Sequence, residues 1–115
     1  MGERDPHGIE QHVAGAKLDA GKLRAGLVLG DFAHALLAVA HVGTFGAVKY
    51  TPHGWLSVSD GVDRYTDALY RHLLAEARGE KFDSESSIEH AAHAAWNAPA
   101  RLELMLRAST MAGES

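Results

Sequence analysis

The chain of 115 residues is close to the commonest domain size. With 46% hydrophobic and 23% charged residues it has material for one packed core and not for a second. A formal charge of -4 excludes the broad basic surface that a nucleic-acid polymer needs for counterion release, and the absence of cysteine excludes a disulfide framework, a thiolate zinc site and a cysteine nucleophile.

Residues 1–16 mix glycine, histidine and charge without a helical or strand period and lack the apolar core of a signal peptide, so a mobile N-terminal segment is predicted. Next, Lys17-Leu18-Asp19-Ala20-Gly21-Lys22-Leu23-Arg24 gathers Lys17, Lys22 and Arg24 around a glycine. It is not a Walker A sequence, but lysine supplies point charge and arginine a bidentate fork, so it reads either as a phosphate clamp or as an exposed loop.

A first helix is predicted from Asp31 as N-cap, with Phe32, Leu36, Val39, Ala40 and Gly43 at helical spacing and Gly43 and Gly46 weakening its far end. Its apolar run, Phe32 to Val42, is interrupted by His34 and His41 and falls far short of the roughly 20 residues that cross a bilayer. No membrane segment is expected, and the cysteine-free composition fits the cytosol. The connector Tyr50-Thr51-Pro52-His53-Gly54-Trp55 is turn-rich; its aromatics either stack on a purine, with Lys49 alongside, or close a small core.

A second helix is predicted from near Asp60 to Gly79, which suits the left-handed C-terminal position, with a stripe of Val62, Tyr65, Leu69 and Leu73. A third starts at Ser86, where Ser86 and Glu89 fit a capping box, with a stripe of Ile88, Ala91, Ala95, Ala98, Leu102 and Leu106. Pro99 removes a backbone donor within it and predicts a kink. Residues 108–115 are small and polar and read as a mobile tail. Joined by so few residues, the second and third helices should lie antiparallel and complete a compact all-α bundle with the first.

Polar groups then stand out against these stripes. On a wheel of about 100° per residue, Glu76 falls within the second helix's apolar stripe with His72 at its edge, one turn away. A carboxylate aimed at a core must be paired, protonated or metal-bound, so Glu76 is either a ligand for a divalent cation or close enough to the helix end to reach water. On the third helix His90, His93 and Asn97 form a narrow polar stripe opposite the apolar one, either a solvated face or, at i and i+3, a pair of rings able to see one metal. The loop between these helices carries Glu80, Asp83 and Glu85, which join helix ends bearing the histidines. No Ser/His/Asp arrangement, G-x-S-x-G or G-x-G-x-x-G is present to support a serine hydrolase or a dinucleotide-binding fold.

In order along the chain, Lys17-x-Asp19-x-Gly21-Lys22-x-Arg24, Phe45-Gly46-Ala47-x-Lys49-Tyr50, Trp55, Arg71-His72-Leu73-Leu74, Gly79-Glu80, Asp83-x-Glu85-Ser86 and His90-x-x-His93-x-x-Trp96-Asn97 resemble the phage and bacterial dATP/dGTP diphosphohydrolase domain over residues 17–107. That domain is similar to the MazG-type all-α nucleoside triphosphate pyrophosphohydrolases, which use carboxylate-bound Mg²⁺ or Mn²⁺ to direct water at a phosphate. The superfamily pattern E-E-x-x-E followed by E-x-x-D is absent, and Ser87 stands where the family pattern has Gly.

The resemblance implies hydrolysis of dGTP or dATP to monophosphate and pyrophosphate in the cytosol of a bacterium or phage-infected cell. Glu76, Glu80 and His72 are then the expected catalytic groups, and Glu76, Glu80, Asp83, His90 and His93 the expected ligands of Mg²⁺ or Mn²⁺. Lys17, Lys22, Arg24, Lys49, Arg64 and Arg71 are the expected phosphate cations, and Tyr50, Trp55 and Asn97 the expected base contacts. The rival readings are a noncatalytic nucleotide-sequestering protein, favoured by loss of the acidic motif, and a purely structural helical oligomer. Helices this short bury one stripe each, which predicts a homodimer or homotetramer.

Overall fold

The computed structural model describes residues 2–111 and 113, in two compact units that divide between Phe32 and Ala33, inside the span 17–107 expected to form one domain. The N-terminal unit is turn-rich and organised by one buried carboxylate. Asp5 accepts hydrogen bonds from the backbone N–H groups of His7, Ile9 and Lys17 at 3.0, 2.8 and 3.3 Å, and an isolated antiparallel bridge joins Arg4 to Glu10. A short helix, α1 (Ala25–Gly30), lies where no helix was expected, because Gly26 and Gly30 leave no helical period to read. Asp31, the predicted N-cap of the next helix, sits in a right-handed helical conformation at the end of α1 instead.

The second unit contains α2 (Ala33–Lys49), a 3-10 turn (Gly54–Ser57), α3 (Gly61–Ala77) and α4 (His90–Met111), and the described residues contain no strand. The all-α class is therefore as the residue periods indicate, and no helix among the described residues is long and apolar enough to cross a membrane. α3 and α4 run antiparallel: His72 meets His90, Thr66 meets Arg101 and Gly61 faces Leu104. Gly79, at φ 96°, terminates α3 as predicted, its N–H bonding back to the carbonyl of Glu76.

α2 keeps its helical form through Gly43 and Gly46, for a packing reason at the first. A Cβ on Gly43 would lie 3.2 Å from Nε1 of Trp96, so the missing side chain lets the indole lie against α2. Val42, Ile88 and Ala92 form the buried apolar cluster there, flanked by Ala38, Phe45 and Trp96. Trp96 also packs edge to face on Trp55 and Tyr65, with centroids 5.6 and 5.5 Å away, while Tyr65 Oη donates to the Trp55 carbonyl at 2.7 Å. The connector is thereby tied to both long helices.

α4 departs from expectation in three ways. It begins at His90 rather than Ser86, because Ser86 turns its hydroxyl toward Ile88 N–H and His93 rather than capping a helix. It carries Ala108–Met111 of the predicted tail, with Pro99 inside the helix; Met1, Ala112, Glu114 and Ser115 lie outside the described residues. Its polar and apolar faces are also exchanged. His90, His93 and Asn97 are buried with Ala92, Ala94 and Ala100, whereas Ala91, Ala95, Ala98, Leu102 and Leu106 are exposed.

The facing stripe of α3 is correspondingly rotated. Gly61, Tyr65, Ala68, His72 and Ala75, at steps of four, three, four and three, include its two buried residues, and Glu76 stands outside in solvent. The buried apolar residues of the described chain are small or β-branched, and no large side chain is fully enclosed.

Ser87 has φ 62°, in the left-handed region that a glycine adopts without cost. The steric penalty for an L-residue there, roughly 1–2 kcal/mol, exceeds the roughly 0.4–1 kcal/mol of unfolded-state entropy that glycine adds. Ser87→Gly is therefore expected to stabilise the fold by up to about 1 kcal/mol, seen as a higher denaturation midpoint at unchanged slope.

Candidate active site

The loop between α3 and α4 is held by its own backbone. Asp83 N–H donates to the Ile88 carbonyl at 2.8 Å, Ser87 N–H to the Asp83 carbonyl at 2.8 Å and His90 N–H to the Lys81 carbonyl at 2.8 Å, with a bridge between Phe82 and Glu89. This folding brings the Asp83 side chain back over the first turn of α4. Its Oδ2 accepts the Ser86 N–H at 2.9 Å and lies 3.9 Å from His93 Nε2. Lys49, at the end of α2, anchors the loop from outside through a 2.6 Å ion pair with Glu85.

Three imidazoles meet across the α3–α4 seam. Nδ1 of His72 lies 2.8 Å from Nδ1 of His90, and the His72 ring stacks on His93 with centroids 4.5 Å apart and planes within 10°. Ser86 Oγ lies 2.7 Å from His93 Nε2. An Nδ1 to Nδ1 bond requires one ring to carry the proton and the other to present a lone pair, so this pair is satisfied with both rings neutral. His90 Nε2 is buried and has no hydrogen-bond partner among the described residues; the counter-group beside it, Glu80 Oε2, is 3.5 Å away.

The electrostatics of His72 and His93 favour the neutral ring. Burial pushes the His72 pKa below its ordinary value, and the neighbouring His93 and His90 add to the effect. Burial does the same to His93 against the opposing pull of Asp83. Asp83 moves the other way in charge: burial works against its ionised form, but hydrogen bonds from the Ser86 N–H and hydroxyl, with His93 and His72 near by, bring its pKa below the ordinary carboxylate value. Neutral imidazoles next to an ionised carboxylate are the protonation states a metal ion requires. Among the described residues, His72, Asp83 and His90 form a group whose ligand atoms all lie within 4.8 Å of one another.

Of the residues singled out in the sequence, the loop and helix ends bring together His72, Asp83, His90 and His93, with Glu80 at the edge beside His90 Nε2. Glu76 does not join them: it is exposed, since the α3 face turned to α4 passes through His72 and Ala75. Asn97 is buried and donates Nδ2 to the His93 carbonyl at 2.8 Å, a bond within its own helix. Trp55 is engaged in the aromatic trio, the core-closing alternative, whereas Tyr50 is exposed with Lys49 Nζ 5.0 Å above its ring.

Among the expected cations, Lys49 is paired to Glu85, Arg64 Nη1 donates to the Ser59 carbonyl at 3.3 Å, and Arg71 is exposed and has no polar side-chain contact among the described residues. Lys17, Lys22 and Arg24 belong to the N-terminal unit, where their backbones are engaged: Lys17 N–H donates to Asp5, Lys22 N–H to the Asp19 carbonyl, and the Arg24 carbonyl accepts the Val28 N–H. Two participants escaped sequence reasoning. Ser86 was read as a helix cap, although its seven-residue spacing to His93 was available; Arg78, whose Nη2 is 3.8 Å from Glu80, carried no motif.

The family model described as dATP/dGTP diphosphohydrolase, N-terminal, matches residues 12–113. A dATP/dGTP diphosphohydrolase of Salmonella phage PMBT28 is 34% identical over 83 residues, which cover 72% of this chain and 27% of the relative. The chain thus spans only a minor part of that relative's length. No solved structure matches.

The folded chain holds His72 and His93 neutral, so below pH about 6.5 the unfolded chain binds more protons and stability falls with pH. The melting temperature is expected to be level above about pH 7 and to drop between about pH 6.5 and 5. His72→Asn should make that drop shallower, as followed by circular dichroism.

Proposed function

Because the chain belongs to the dATP/dGTP diphosphohydrolase family, through the N-terminal domain of that family, we propose that it hydrolyses purine deoxynucleoside triphosphates to the monophosphate and pyrophosphate with the help of a divalent cation. The observation that carries this reading is the buried cluster itself. A helix pair with no chemistry to perform would place aliphatic side chains where His72, His90 and His93 meet, and would not leave the Nε2 of His90 enclosed without a partner.

The donor set fits a cation. His72, Asp83 and His90 would hold it, and a mixed set of imidazole nitrogen and carboxylate oxygen suits Mn²⁺ better than Mg²⁺, which prefers oxygen throughout. Such an ion supplies activation of water and compensation of phosphate charge when bound. The chain's own groups supply the rest. Ser86 fixes the Asp83 carboxylate through its N–H and orients His93 through its hydroxyl, and Glu80 stands 3.5 Å from His90 Nε2 to receive a proton.

A nucleotide-sequestering role is favoured by one observation, that the cluster contains a single carboxylate where the related pyrophosphohydrolases have several. Retention of dGTP or dATP without turnover would establish that role. Assembly belongs to the same proposal: the exposed row Ala91, Ala95, Ala98, Leu102 and Leu106 runs along one side of α4 at steps of four and three, and a second copy covers it in a homodimer or homotetramer. Leu102→Glu with Leu106→Glu should shift sedimentation to the monomer.

Pyrophosphate release from dGTP or dATP is expected with Mn²⁺, and less with Mg²⁺. His90→Gln should lower it on the order of 100-fold with the helical circular-dichroism spectrum intact; a His90→Gln protein with full turnover would remove the cluster from the reaction.

A further inference from the structure

Outside the histidine cluster, a solvent-facing depression of about 580 Å³ lies on α3, lined by Arg71, Leu74, Ala75, Ala77 and Arg78. Arg71 and Arg78 are seven residues apart, which puts them on one face of the helix at roughly 10 Å along its axis. Their engagement differs from that of the other arginines in the second unit. Arg64 donates to a backbone carbonyl, Arg101 to Thr66 at 2.7 Å and Arg107 to Glu103 at 2.8 Å. Among the described residues Arg71 has neither an ion pair nor a side-chain hydrogen bond, and Arg78 has a single loose contact, 3.8 Å to Glu80. Two guanidinium groups are thus held beside an apolar floor of Leu74, Ala75 and Ala77 with their donors unspent.

We infer that Arg71 and Arg78 form a clamp for a chain of phosphates, the polyphosphate moiety of a small ligand. A small ligand is indicated over a polymer because the net charge of -4 supplies no wider basic surface on which a nucleic acid could be held. The clamp is connected to the cluster by one atom. Glu80 Oε2 is 3.8 Å from Arg78 Nη2 and 3.5 Å from His90 Nε2, so a phosphate that takes over Arg78 leaves this carboxylate to His90 alone. Arg71 adjoins His72 in sequence, so both ends of the clamp border residues of the cluster. This deepens the hydrolase reading of the preceding subsection by assigning where its triphosphate is gripped, and it rests on that reading for the link to turnover.

The test uses the full chain and inorganic tripolyphosphate in metal-free buffer, followed by calorimetry and by ³¹P line broadening. Binding that weakens with salt is expected, reduced at least about tenfold in Arg71→Gln/Arg78→Gln and unchanged in Arg107→Gln. Both clamp residues are exposed, so the double variant should keep the wild-type melting temperature. Equal binding by the wild type and the double variant, or no binding by the wild type at millimolar probe, overturns the clamp. Pyrophosphate release by the wild type is measured in parallel. Turnover with tripolyphosphate binding insensitive to the two arginines leaves the hydrolase standing and removes the clamp. Binding that depends on them without turnover of any nucleotide upholds the clamp and removes the hydrolase.

Discussion

The hydrogen bond between the Nδ1 atoms of His72 and His90 is the constraint on which the second unit depends. It joins the seam of α3 and α4 at one end, and the antiparallel pairing of Thr66 with Arg101 and of Gly61 with Leu104 follows in register from it. Sliding either helix by one residue would strand a largely buried imidazole nitrogen without its partner, whereas an aliphatic seam would tolerate several registers. A buried polar contact of this kind adds little net stability, but it makes the alternatives costly. The same bond also requires that one of the two rings be a donor and the other an acceptor, so the charge state of the site and the geometry of the fold are set together.

The loop from Gly79 to Glu89 converts that register into a site. Its backbone bonds and the Lys49–Glu85 pair bring Asp83 and Ser86 over the start of α4, and the cost of the arrangement is visible at Ser87, held in a left-handed conformation. Local strain beside a cluster of titratable groups is where a fold concentrates function, since the surrounding structure must over-determine the conformation to keep it. Helix α4 begins at His90 for the same reason: the residues ahead of it are occupied in presenting Asp83 and Ser86.

Much of this was legible in the residues, and the failures have physical causes. The helical class, the end of α3 at Gly79 and the meeting of His72, Asp83, His90 and His93 at the joined helix ends follow from spacing and chemistry. The faces of α4 do not. Its N-terminal half offers alanines on both sides, and alanine has too little surface to decide which side is buried, so the stripe of His90, His93 and Asn97 reads equally as a solvated face or as a pair of rings turned to a metal. Glu76 was misplaced by the same ambiguity, one residue beyond the stripe that includes Ala75. Ser86 met the capping-box spacing, but a side chain seven residues on competed for its hydroxyl and won. Helix α1 and the division at Phe32 and Ala33 leave no periodic signal at all.

The smallness of the buried apolar groups has a thermodynamic consequence. With Val42, Ala75, Ile88, Ala92, Ala94 and Ala100 as the enclosed hydrophobic residues, and large side chains left partly in water, unfolding of the isolated chain uncovers little new apolar surface. The heat-capacity increment that curves a stability profile scales with that surface, so the profile of this chain should be broad and shallow. Enthalpy of unfolding would then change little between cold and warm conditions. The balance between folded and unfolded chain would consequently respond less to temperature than to whatever occupies or protonates the histidine seam.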